Sequence, residues 1–218
     1  MKIKWYGHSA FLITSDQGLK IITDPYESGA YGGALAYGKI QDEADLVFTS
    51  HDHADHNHVK GLPGKPEVVR ESGSRTARGI SIKGIPTFHD PSKGSERGSN
   101  LIFKFQVDGI QICHAGDLGH VLSDQEVKEV GPVDILLLPV GGYYTIDPKE
   151  ATRVSEQVKP KVLIPMHFKT EKCGFPIAPV DDFLKGKATV KRVPESEFSF
   201  DKATLPKQME IVVLNHAL

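Results

Sequence analysis

The chain has 218 residues, 39% of them apolar, and its 26 basic and 28 acidic side chains leave a net charge of −2. That supplies one well-buried core and reads as a single domain over residues 1–218. The near-neutral balance, without any block of like charges, argues against a nucleic-acid or membrane-surface partner and leaves a small-molecule substrate as the expectation. No apolar run reaches the length of a membrane span, and Met1-Lys2-Ile3-Lys4-Trp5 enters a strand pattern with no apolar signal core. Cys113 and Cys173 form neither a disulfide framework nor a C-x-x-C pair, which suits a reducing, cytoplasmic location. Composition leaves the oligomeric state unknown.

Residues 2–6, 10–15 and 19–23 read as three short strands, with turns at Gly7-His8 and Asp16-Gln17-Gly18. Asp24-Pro25 closes the third, because proline cannot extend a ladder. The glycine-rich stretch from Ser28 to Gly38, with Tyr26, Tyr31 and Tyr37 in or beside it, is too long for a simple connection. It reads as a functional or mobile loop, and whether Gly29–Gly38 covers a substrate is left open. Residues 44–48 are a buried strand, and directly beyond it stand His51, His53, Asp55 and His56, spelling H-x-H-x-D-H. In an extended segment positions 51, 53 and 55 leave on one side, and His56 joins them where the chain curls. Imidazole nitrogen and carboxylate oxygen are donors that zinc and related divalent ions accept, so this cluster reads as a metal site.

Further on, 66–70 and 79–85 read as strands, followed by Pro86-Thr87-Phe88-His89 and a polar loop to Ser99. Residues 100–107 and 110–113 form a hairpin across Asp108-Gly109 and lead into His114-Ala115-Gly116-Asp117. A helix is expected over 123–130 and a central strand over 134–138, ending at Gly141-Gly142-Tyr143-Tyr144. Asp147-Pro148-Lys149-Glu150 opens a second helix to Val158 through its N-cap, its N1 proline and its N3 glutamate. Residues 161–165 are another buried strand, ending in Met166-His167. A helix near 179–185 and strands near 188–193 and 209–214 complete the pattern. Three strand ends thus deliver His89, Asp117 and His167.

The H-x-H-x-D-H motif after a hydrophobic strand resembles the signature of the metallo-β-lactamase-fold hydrolases. Pro-Thr-Phe-His89 is similar to that family's third-motif histidine, Ala-Gly-Asp117 to its bridging carboxylate and Ile-Pro-Met-His167 to its last histidine. The resemblance covers nearly the whole chain and implies an α/β, four-layered α/β/β/α sandwich. It also implies one metal site of His51, His53 and His89, another of Asp55, His56 and His167, and Asp117 between them. The cofactors implied are two divalent ions, Zn2+ first, with Mn2+ or Fe2+ as alternatives. Asp24 resembles the first-motif aspartate that fixes a liganding histidine. His8, in Trp5-Tyr6-Gly7-His8, resembles a W-x-G-H stretch of the small hydrolase branch and stands as a site-edge or substrate contact. His114 competes with His89 for one ligand place, although alternation sets it on the opposite face from Asp117. Cys113 reads as a core thiol, and His58, His120 and His216 as outside the site.

Paired divalent ions lower the pKa of a shared water to about 7 and take up developing charge. Asp55 and Asp117 are therefore the catalytic candidates, with Asp55, its second oxygen free if the first binds metal, as proton acceptor or orienter of the nucleophilic water. Tyr143 or Tyr144 could donate to an oxyanion, and Gly141 and Gly142 could let the backbone approach a ligand. The expectation is hydrolysis of an ester, lactone or phosphodiester by metal-bound hydroxide. The ascorbate-6-phosphate lactonase-like and N-acyl-phosphatidylethanolamine phospholipase-like branch is similar. An iron-dependent oxidoreductase or dioxygenase and a non-catalytic metal-binding module are the alternatives.

Overall fold

Along β2 (Ala10–Thr14), Phe11 and Ile13 face one side and Ala10 and Leu12 the other, and all four are buried. A strand buried on both faces needs a layer on each side of its sheet, and the rest of the chain supplies them. The computed structural model describes residues 1–218 as two β-sheets packed face to face. The first runs β13 (Glu197–Ser199), β1 (Lys2–Gly7), β2, β3 (Lys20–Thr23), β4 (Leu46–Phe48), β5 (Glu67–Val69). The second runs β12 (Val190–Val193), β14 (Glu210–Leu214), β11 (Val162–Met166), β10 (Ile135–Pro139), β9 (Ile110–His114), β8 (Ser99–Val107), β7 (Ile80–Phe88), β6 (Gly73–Ala77). Phe48 of the first sheet meets Phe103 and Phe105 of the second at ring centroids of 5.2 and 4.9 Å, in the middle of the main core.

The outer layers differ in kind. Over the second sheet lie α2 (Asp124–Val130), α3 (Pro148–Val158) and α4 (Val180–Leu184). Lys104 and Lys83, which pair across β8 and β7, reach the carbonyls of Val130 and Glu129 at the C-terminal end of α2. Cations there meet the negative end of the helix dipole. Both α2 and α3 open with the capping boxes read from the sequence, Ser123 with Glu126 and Asp147 with Glu150. Over the first sheet there are single turns alone: α1 (Ala30–Gly33), inside the glycine-rich loop, and a 3-10 turn at Val59–Gly61. Tyr31 and Gly32 leave helical geometry within α1, as a glycine-rich segment with little helix propensity does. Tyr26, Leu35, Tyr37, Phe175 and Ile177 cover Tyr6, Leu12, Ile22 and Val47 in a second, smaller core.

Most elements fall where the sequence puts them, and two differences are informative. β7 does not stop before Pro86 but runs to Phe88. β6 reaches only Gly84, so the outer side of Pro86 is free of any ladder, and Leu101 opposite gives its N–H to Ser50. An imino acid fits such an edge position. β6 itself, Gly-Ser-Arg-Thr-Ala, lacks an apolar stripe because it is an exposed edge strand.

Strand polarity sets the site. β1 and β3 run alike on either side of β2, β4 continues parallel to β3, and β7, β9, β10 and β11 run alike in the other sheet. The C-terminal ends of these strands meet at one edge, where His167 N–H bonds the His8 carbonyl at 3.0 Å. Ligands of open α/β sheets gather at that end of the strands.

Candidate metal centre

Each chemical side chain here sits just past a strand: His8 after β1, Asp24 after β3, His51 to His56 after β4. His89 follows β7, Asp117 lies beyond β9, and His167 follows β11. The chain must turn at once to keep them at the edge, and His8, Asp24 and His167 do so at φ of 51°, 41° and 49°. Left-handed backbone is costly for residues with a Cβ and persists where its surroundings fix it. Gly119 serves the same end by close approach, since a Cβ there would stand 2.1 Å from the His89 carbonyl carbon. At Gly141 a Cβ would likewise stand 2.2 Å from the His167 carbonyl oxygen, so the glycine there serves to seat that strand end.

All seven residues read as ligands converge. Asp117 Oδ2 lies 3.1 Å from His56 Nε2, 3.2 Å from His89 Nε2, 3.3 Å from His167 Nε2 and 3.9 Å from His51 Nε2. His51, His53 and His89 form one donor group, His8, Asp55, His56 and His167 a second, and His51, His56 and Asp117 a third. Within each group the donor atoms lie within 4.8 Å of one another.

The surrounding hydrogen bonds fix which ring nitrogen is free. A carboxylate or carbonyl can only accept, so the nitrogen facing it carries the proton. His56 Nδ1 donates to Asp24 Oδ2 at 2.9 Å, and His89 Nδ1 to the Tyr144 carbonyl at 3.1 Å. His51 Nδ1 donates to Ser50 Oγ at 2.9 Å, and that hydroxyl donates to Asp24 at 2.7 Å. In all three rings Nε2 is the nitrogen that faces inward, towards Asp117. His51 Nε2, His56 Nε2 and Asp117 Oδ1 are buried without a hydrogen-bond partner. Buried polar atoms left unpaired call for an ion or water, and this set of nitrogen and oxygen donors fits divalent ions.

His114 is also fully buried, yet both its nitrogens are committed. Nε2 donates to the Ser9 carbonyl at 3.0 Å, and Nδ1 accepts the Gly116 N–H at 3.1 Å. Its ring is a brace beneath the site. His8 donates from Nε2 to Asp55 Oδ2 at 3.1 Å, and its ring lies tilted against that of His167 at 4.1 Å between centroids.

Burial alone would raise the carboxyls of Asp24, Asp55 and Asp117. The rings beside them, His114 and His56 at Asp24, His56 and His8 at Asp55, and His167 and His56 at Asp117, outweigh it. All three stay below the usual carboxylate range. Burial holds the His51 ring down at about 3 and the His8 ring at about 4, so both stand neutral. His56 goes the other way: burial opposes its charge, but Asp117, Asp55 and Asp24 raise it well above the ordinary value. The same three carboxylates make a field that favours cations.

A cleft of about 360 Å³ opens over the cluster, lined by His53, Asp55, His89, Asp117 and His167 together with Tyr31, Glu96, Arg97, Tyr144 and Phe175. Of the two tyrosines read as oxyanion donors, Tyr144 lines it, whereas Tyr143 is 65% exposed and lies against the Tyr144 ring at 4.7 Å between centroids. Tyr31, Glu96, Arg97 and Phe175 were not legible as site residues, because no local motif marks them. Tyr31 hydroxyl donates to Asp55 Oδ1 at 3.0 Å and His8 Nε2 to Oδ2 at 3.1 Å, so each Asp55 oxygen accepts one hydrogen bond and keeps a lone pair for an ion, which favours the orienting role over proton acceptance. Asn100, also unforeseen, accepts the Asp117 N–H at 2.9 Å and donates to the Ala115 carbonyl and Thr87 hydroxyl, fixing the Asp117 turn.

A family model, the β-lactamase superfamily domain, matches residues 2–167. A UPF0173 metal-dependent hydrolase of Thermococcus kodakarensis is 32% identical over 196 residues, covering 78% of this chain and 85% of its own. The chain belongs to the metallo-β-lactamase superfamily. Within it, a crystal structure from Thermotoga maritima, assigned as a Zn-dependent hydrolase of the superfamily, is 39% identical. It covers 98% of this chain and 97% of its own, with a TM-score of 0.79. Igni18 of Ignicoccus hospitalis, a metallo hydrolase, shares the superfamily fold at a TM-score of 0.63 and 24% identity, covering 92% of this chain and 99% of its own.

Proposed function

We propose that this chain is a metal-dependent hydrolase that cleaves an ester, lactone or phosphodiester bond in a small molecule with two divalent ions, Zn2+ first among them. His51, His53 and His89 would hold one ion, Asp55, His56 and His167 the other, with Asp117 shared. The observation that carries this reading is the convergence of four ring nitrogens on one buried carboxylate oxygen, all beneath an open cleft. A structural zinc site is closed and usually richer in cysteine, whereas this one faces solvent on one side. When bound, such ions make water a nucleophile near neutral pH and neutralise oxyanion charge.

The chain's own residues supply the rest. Asp24 and Ser50 hold His51 and His56 in the tautomer that presents Nε2. His8 and Tyr31 clamp the Asp55 carboxylate from both sides, so Asp55 orients the site and proton acceptance passes to solvent or substrate. Tyr144 also stands on the cleft wall, where its hydroxyl could donate to a substrate oxygen, whereas that of Tyr31 is held by Asp55. No helix is long and apolar enough to cross a membrane. The test is elemental analysis of the purified protein joined to a screen of esters, lactones and phosphodiesters. About two equivalents of a divalent metal are expected, and Asp117→Ala should lose metal and turnover together. Well under one equivalent after metal supplementation overturns the reading.

A further inference from the structure

The cleft wall carries one guanidinium. Arg97 sits with its guanidinium carbon 5.8 Å from the centroid of the Tyr144 ring, and the Tyr144 carbonyl in turn holds His89. The loop that carries Arg97 is fixed from within. The Asp90 carboxylate accepts the backbone N–H groups of Ser92, Gly94, Glu96 and Arg97 at 2.8, 2.9, 3.1 and 2.8 Å. Arg97 is thereby anchored at its backbone and braced on an aromatic face, so a ligand that meets it has less side-chain freedom to arrest. Its ionic partner, Glu96, lies 3.6 Å away across an exposed surface and is itself drawn to Ser92 Oγ at 2.7 Å. An exposed pair of that length contributes little and yields readily to a better acceptor.

Across the cleft, Tyr31 and Phe175 meet edge-on at 5.4 Å, and Tyr144 and Phe175 at 5.6 Å, giving an apolar floor beside the donor cluster. The space therefore offers a small apolar body, a reacting end at the cluster and a planar cation on one wall. A planar fork of N–H donors matches carboxylate and phosphate oxygens in pairs, and it repels an amine. We infer that Arg97 receives an anionic group of the substrate, a carboxylate or phosphate set apart from the bond that is cleaved. This rests on the hydrolase reading for the identity of the reacting end.

The experiment measures binding by calorimetry to metal-loaded protein with butyrate, glutarate and 4-phosphonobutyrate, which share a carboxylate and differ in the second anionic group. Wild-type protein should bind glutarate or 4-phosphonobutyrate about tenfold or more tightly than butyrate, the scale of one charge-assisted hydrogen-bond pair. In Arg97→Ala that ratio should collapse towards one, with Arg97→Lys between the two. Whichever of the two dianions loses more names the group. Glu96→Gln should enlarge the advantage; a loss there would assign recognition to Glu96 and overturn the inference. Equal affinities in the wild type, an advantage that survives Arg97→Ala, or an equal loss for butyrate would each overturn it as well. With esters, the ratio of KM for p-nitrophenyl butyrate to KM for the mono-p-nitrophenyl ester of glutarate should fall in Arg97→Ala. Protein that binds the dianions through Arg97 yet hydrolyses nothing in the ester, lactone and phosphodiester screen would refute the hydrolase reading and leave this inference standing.

Discussion

Two buried histidines at strand ends, His89 and His114, differ in what is left over on their rings. His89 spends Nδ1 on the Tyr144 carbonyl and leaves Nε2 beside Asp117. His114 spends both nitrogens, on Ser9 and Gly116. Sequence spacing could not separate them, since each precedes a polar turn; only the tertiary partners decide. His89→Ala should therefore lose about one metal equivalent and nearly all hydrolysis. His114→Ala should keep both metals but strand a buried carbonyl and open a cavity, at a cost of roughly 2–4 kcal/mol. Metal content and denaturant melts on the two variants, read together, check this; metal loss in His114→Ala with full metal in His89→Ala would reverse the assignment. Four of the seven candidate ligands were legible because H-x-H-x-D-H packs them into six residues. Tyr31 and Arg97 were not, because each reaches the cleft from a loop whose own sequence carries no periodicity.

At the level of elements, strands were easier to read than the loops between them. Ile135 to Leu138 and Val162 to Met166 are unbroken apolar runs, as strands buried on both faces must be. The capped helices announced themselves through Ser123 and Asp147. β6 and β13 stayed hidden because one is polar and exposed and the other is three residues long. The loop from Asp90 to Gly98 read only as polar, and nothing in it hinted that a single aspartate gathers four of its own backbone N–H groups. That arrangement predicts local rather than global damage on substitution. In Asp90→Ala, amide exchange at Gly94, Glu96 and Arg97 should quicken about tenfold, while the strands β10 and β11 keep their protection. Exchange mass spectrometry resolves the two regions, and uniform loss across both would show that Asp90 supports the whole sheet instead.

On the scale of the molecule, the two edges of the sandwich divide the work. The edge with the C-terminal strand ends holds strained backbone, unpaired donors and like-signed carboxylates, none of which a stable fold would choose for itself. The opposite edge, where β9, β10 and β11 begin, is satisfied. There Asp134 accepts the Gln111 N–H at 2.9 Å and pairs with Lys161 and Lys202, and its backbone carbonyl takes the N–H groups of Lys161 and Val162. Burial would raise the Asp134 carboxyl, but the Gln111 N–H and the two lysines more than offset it, so its folded pKa lies below the ordinary value. A group depressed in this way adds stability that is present above its unfolded pKa, about 4, and is lost as the pH falls through the folded value. Asp134→Asn, which keeps an acceptor but not the charge, should therefore cost about 1–3 kcal/mol at pH 7, or about 2–4 °C of melting temperature per kcal/mol. The gap between variant and wild type should close as the pH is taken below 4. Because Asp134 lies at the edge away from the cluster, metal content should not change. Urea melts at pH 7 and pH 3 decide the matter: a gap of the same size at both would mean that the aspartate acts through shape alone and that its charge contributes nothing to the fold.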